Sequence, residues 1–150
     1  MSGYTLQDST TGRTATQKAT GGAAWVKMAG GAPAGATAIS AASGNVANAS
    51  AAATLPAVAS VTNYLSGLTI TGAGATGASV VTATVTGLVG GTMSITVAVP
   101  AGVTTGIAPI LLQFNPALVA SATNTAIVVT LPALGAGNTN ASVAAWGYKI

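Results

Sequence analysis

The chain has no cysteine, no histidine and a single acidic residue, Asp8. Without cysteine there can be no disulfide framework, so redox chemistry says nothing about the compartment. Without cysteine and histidine, zinc sites and iron–sulfur clusters lose their usual ligands. Acid–base catalysis needs side chains that exchange protons. Asp8 has no second carboxylate side chain to share the work, and no serine can borrow a histidine. A Ser–Lys pair would have to recruit Lys18, Lys27 or Lys149 from the ends of the chain. We therefore expect no enzymatic activity, no metal and no cofactor.

Charge is nearly absent too. The five charged side chains are Asp8, Arg13, Lys18, Lys27 and Lys149, and none lies between Met28 and Tyr148. An ordinary globular domain devotes about a quarter of its residues to charge, which wets the surface and keeps partners apart. A neutral body must instead rely on hydroxyls, amides and glycine, and it suits a subunit packed against copies of itself. The net charge of +3 comes from four scattered cations. That is too few for a phosphate-binding surface, so no nucleic-acid partner is expected.

Aromatics make up only 4% of the chain, although half of it is hydrophobic and the mean hydropathy is +0.66. The apolar content is mostly Ala and Val, interrupted so often by Thr, Ser, Asn and Gly that no run reaches the ~18 residues of a membrane-spanning helix. The first residues are polar throughout and carry no apolar signal core, so neither a membrane nor a secretory route is expected.

What is present is a period of two. Val81, Ala83 and Val85 alternate with Thr82, Thr84 and Thr86. Met93, Ile95, Val97 and Val99 alternate with Thr92, Ser94 and Thr96. Such patterning places apolar groups on one sheet face and hydroxyls on the other. The glycine-bearing link Leu88–Gly91 reads as a hairpin turn. Further strands are expected at 61–71, with a bulge at Gly67, and at 107–114, 125–131 and 142–148. Pro100, Pro109, Pro116 and Pro132 fall at strand ends or edges.

Composition changes near residue 55. Residues 1–28 read as an extended N-terminal arm, in which Ala24–Met28 could form a short strand anchored by Trp25. Residues 29–54 read as a low-complexity loop region with one short strand near Ala36–Ser40, and 55–150 as a β-sandwich core. About eight strands at these turn spacings and no long helix make the chain all-β, an antiparallel β-sandwich. The Gly72–Gly77 stretch matches G-x-G-x-x-G, but a strand pattern comes after it and no acidic residue lies downstream. It reads as a turn and not as a dinucleotide site. Asn48-Ala-Ser50 and Asn140-Ala-Ser142 fit the glycosylation pattern by chance in so Asn/Ser-rich a chain, and Asn138–Asn140 reads as a turn.

The segments SGLTITGAGATGASVVTATVTGLVGGTMSITVAVPAGVTTGI (66–107) and SATNTAIVVTLPALGAGNTNASV (121–143) resemble small Ala/Gly/Thr/Val-rich virion structural proteins of tailed bacteriophages, the head decoration or tail and fibre proteins. The resemblance covers 55–148 and rests on style rather than on a diagnostic site. It implies a jelly-roll-like sandwich, a homotrimer and a place on the particle surface after synthesis in the host cytoplasm. The expected function is a capsid decoration (cement) protein that self-associates and clamps neighbouring capsid subunits, its partners being itself and the major capsid protein. A tail-fibre or head-fibre domain that binds the host surface is the alternative. Arg13, Lys18, Trp25, Val26 and Lys27 are the candidate capsid-docking residues of the arm. Leu111, Trp146 and Tyr148 are the candidates for self-association, with Trp146 expected to pack in the core or between sheets.

Overall fold

The computed structural model describes residues 4–7, 14–17 and 32–150, and it divides into two units, 1–31 and 32–150. In the first, β1 (Tyr4–Gln7) and β2 (Thr14–Gln17) pair antiparallel, with Tyr4 opposite Gln17. The sequence shows no period at these residues and predicts no strand there. The possible strand at Ala24–Met28 lies outside the described residues.

The second unit holds eight strands and no helix among the described residues. They are β3 (Thr37–Ala42), β4 (Ala51–Leu55), β5 (Asn63–Ala73), β6 (Ser79–Leu88), β7 (Gly91–Val99), β8 (Ile110–Val119), β9 (Ile127–Leu131) and β10 (Asn140–Lys149). They form two four-stranded antiparallel sheets, ordered β3-β10-β5-β8 and β4-β9-β6-β7. The chain is an all-β sandwich, as its alternation predicts. The pairs β3·β10, β4·β9, β5·β8 and β6·β7 are nested, the outermost strands in sequence pairing first and the innermost last.

The alternation works as sequence patterning requires. On β9, Ile127, Val129 and Leu131 are buried while Val128 and Thr130 are half-buried. On β6 and β7, the threonines and Ser94 face outward, and the register sets Thr82 beside Thr96 and Thr84 beside both Ser94 and Thr130. These hydroxyl rows wet a sheet face that carries no charge, and cross-strand Thr pairs add about 0.2–1 kcal/mol each. Inside, one cluster joins Leu55, Leu65, Leu68, Ile70, Val85, Val129 and Leu131 from both sheets with the alanines at 51, 53, 83, 141 and 145. Burying each large side chain contributes roughly 1.5–3 kcal/mol.

Ala51–Leu55 departs from the expected loop. The three alanines are poor strand formers and only Thr54 favours a strand, yet Ala51, Ala53 and Leu55 are all buried, at 0–1% exposure. The strand exists because a small side chain is what fits beside β9 and beneath the other sheet. The bulge expected at Gly67 is present: the pairing with both β8 and β10 shifts between Leu65 and Gly67, and against β10 the extra residue is Ser66.

Two buried asparagines hold the loops at the sandwich ends. Nδ2 of Asn63 donates to the carbonyls of Leu55, Pro56 and Thr125 at 3.3, 2.9 and 3.0 Å, fastening the β4–β5 connection to the start of β9. Nδ2 of Asn138 donates to the carbonyls of Ala73 and Asn140 at 2.7 and 2.9 Å. Removing a buried donor leaves its acceptors stranded, at about 1–3 kcal/mol. Asn63→Ala should therefore lower the unfolding free energy by about 1–3 kcal/mol, read from the urea midpoint at unchanged m-value. A Thr54→Ala control on the outer face of β4 should leave it nearly unmoved.

Candidate interaction surfaces

The outer face of the sheet β3-β10-β5-β8 gathers most of the described aromatics. On β10 the inward positions are Ala141, Val143 and Ala145, so Ser142, Ala144, Trp146 and Tyr148 point outward. Trp146 is therefore not a core or inter-sheet residue, contrary to expectation: period two gives the core face of this strand to alanine and valine, and the indole goes to the other side. It is half-buried there. It sits opposite Gly67 of β5, which has Gln113 of β8 on its other side. A Cβ on Gly67 would lie 2.5 Å from Cζ2 and 2.7 Å from Cε2 of Trp146. The indole occupies the space that this glycine leaves empty.

Tyr148, two residues further along, stands opposite Tyr64, and the rings stack with centroids 4.8 Å apart and planes 12° from parallel. Offset aromatic pairs of this kind are worth about 0.5–1.5 kcal/mol beyond their buried area. Burial pushes the Tyr148 phenol above its ordinary value, and Tyr64 adds to the rise. Leu111 lies beyond β5 on β8, opposite Thr69, pointing outward and 59% exposed. The three self-association candidates thus share one sheet face, with Trp146 and Tyr148 two residues apart on β10 and Leu111 two strands away, across Thr69 from Ala144. Tyr64 belongs with them. Sequence reading missed it because only the β5–β10 register brings it to Tyr148.

The docking candidates Arg13, Lys18, Trp25, Val26 and Lys27 lie outside the described residues. The Gly72–Gly77 stretch closes β5 and turns directly into the strand β6, with Gly74 at φ +92°. Among the described residues no three side chains of the His, Cys, Asp and Glu types come together.

A second apolar feature runs along one side of the sandwich, where β7 and β8 are the outermost strands of their sheets among the described residues. Met93, Ile95, Ile110, Leu112, Phe114 and Leu118 point inward yet are only half-buried. At one end a groove of about 490 Å³ opens between Leu88, Val89 and Met93 on one side and Pro116, Leu118 and Val119 on the other.

No family model matches the chain, and no curated protein and no solved structure matches it either.

Two outcomes are expected from the aromatic face. Gly67→Ala forces the indole aside or shifts backbone, since the new methyl would also meet the Leu112 carbonyl at 2.8 Å. It should destabilise the fold by about 1–3 kcal/mol, the usual cost of overpacking, and red-shift Trp146 fluorescence in a Trp25→Phe background. The second concerns pH. A phenol whose folded pKa is raised contributes stability that is complete below the unfolded value, about 10, and is lost as pH climbs through the folded one. The urea midpoint should fall above about pH 10, and Tyr148→Phe should flatten that fall.

Proposed function

We propose that the chain is a non-enzymatic structural protein of a tailed-bacteriophage virion, a capsid decoration (cement) protein that associates with itself and clamps neighbouring capsid subunits. The observation that carries this reading is the sandwich without charge: every residue from Ala32 to Tyr148 is neutral, while both sheets still expose an ordered outer face. A body of this kind repels no copy of itself and costs little to dehydrate on contact. We read the nested strand order as a jelly roll, an architecture found in viral capsid domains, and this agrees with the resemblance in residues 55–148. In this reading the outer face bearing Leu111, Trp146 and Tyr148 meets neighbouring copies, a homotrimer being the assembly the resemblance implies. The N-terminal residues Arg13, Lys18, Trp25, Val26 and Lys27 dock on the major capsid protein, with no nucleic acid or membrane involved. Exposed ion pairs contribute at most about 1 kcal/mol each, so Trp25 and Val26 must supply most of that contact.

The half-exposed indole of Trp146 beside a tyrosine pair favours a second reading. A tail-fibre or head-fibre domain could stack host-surface sugars on such aromatics. Copy number separates the two. A gel of purified virions should show this chain in an amount comparable with the major capsid protein; a few copies per particle would reject the cement reading in favour of the fibre one.

A further inference from the structure

The aromatic face is not the only surface left open, and the side of the sandwich between β7 and β8 has a different character. Burial along the strands shows it. On the central strands β5 and β9, Leu65, Leu68, Ile70, Ile127, Val129 and Leu131 are all at 0% exposure. An edge position does not by itself forbid this: β4 is also an edge, and its inward residues Ala51, Ala53 and Leu55 reach 0–1%. On β8, by contrast, Ile110, Leu112, Phe114 and Leu118 are only half-buried, as are Met93 and Ile95 of β7. The core is closed behind β4, while Ile39 and Ala41 of β3 are half-buried; the longest half-buried row is a seam along β8 and the first half of β7, whose later residues Val97 and Val99 are buried.

Among the described residues, nothing pairs with the outer edge of β7. Natural edge strands are blunted by brevity, proline, charge or bulges, because a free row of N–H and C=O groups pairs with any strand that reaches it. β3 and β4 are short, at six and five residues, and β8 contains Pro116. β7 has nine residues, GTMSITVAV, with no proline and no charge, and its register with β6 is unbroken from Val99 to Met93. It combines high β-propensity with small outward side chains at Ser94, Thr96 and Ala98, which leave a neighbouring strand room to approach.

We infer that this seam is an inter-subunit contact, in which a second copy of the chain adds a strand to the edge of β7 and covers Met93, Ile95, Phe114 and Leu118. Charge matching selects the occupant. The seam presents no charged group and few polar side chains, so a partner with an ordinary surface would have to bury charges against it without compensation. The neutral body of this same chain meets it without that penalty. The inference rests on the proposed self-association and deepens it by adding a second contact surface to the aromatic face.

The test uses the full chain. Sedimentation across a range of concentrations should show reversible association, and Ile95→Lys, which points a charge into the seam, should weaken it by more than about tenfold while far-ultraviolet circular dichroism stays unchanged. Because Ile95→Lys could also impair folding, amide hydrogen exchange of the wild-type chain provides the second measurement. Exchange along β7 should slow as concentration is raised through the association range. An oligomer whose β7 amides are indifferent to concentration, or that persists undiminished in Ile95→Lys, overturns the seam and leaves self-association standing. β7 amides protected equally at every dilution mean that the seam is covered within one chain, which overturns it as well. A wild-type chain that stays monomeric throughout removes the self-association reading itself.

Discussion

Water must be kept from between the two sheets before any other feature of this chain can hold, because little else is available to hold them. Among residues 32–150 there is no disulfide, and Lys149 is the only formally charged side chain. The large buried groups are leucines, isoleucines and valines set among alanines. Backbone ladders satisfy the polar groups of each strand, but their net contribution is small because water would serve the unfolded chain nearly as well. The apolar inner faces must therefore supply the stability, and the nested pairing brings them together. The two buried asparagines act at the ends of this arrangement, where connecting loops would otherwise leave carbonyls without donors.

The outer faces obey the same constraint. A sandwich that spends its apolar residues inward and carries no charge before Lys149 must keep water on its outside by other means. Threonine does this on the sheet β4-β9-β6-β7, where it also favours extended backbone through its branched Cβ. The opposite sheet is wetted less evenly: Trp146, Tyr64, Tyr148 and Leu111 stand on it between Ser, Thr and Gln. The pairing of Trp146 with Gly67 shows why a glycine is tolerated in the middle of a strand. It surrenders a side chain so that a larger one can lie across it.

Neutrality also changes what an edge strand means. Charged residues normally do two jobs at once, solvating the surface and discouraging unwanted strand pairing. Here the first job passes to hydroxyls, which do nothing for the second. β3 and β4 are kept in check by shortness and β8 by proline, while β7 has neither device. A protein built to remain alone would find this costly, whereas one that functions as part of an assembly can use it.

The sequence by itself determined the class of structure. Alternation at Val81–Val85 and Met93–Val99, β-branched runs at 127–129 and glycine- or proline-bearing turns between them admit strands and little else, because period two is a local property that each segment carries alone. It also located the bulge near Gly67. Tertiary structure decided the rest. Ala51–Leu55 became a strand because its small side chains fit a place made by β9 and the facing sheet, which no local propensity records. Trp146 went to the outside because its neighbours Ala145 and Val143 occupy the core face of β10. Tyr64 met Tyr148, and β7 became an edge, through pairings between segments far apart in the chain. Position in a sheet is a relation between strands, and a single strand's residues cannot encode which neighbours it will have.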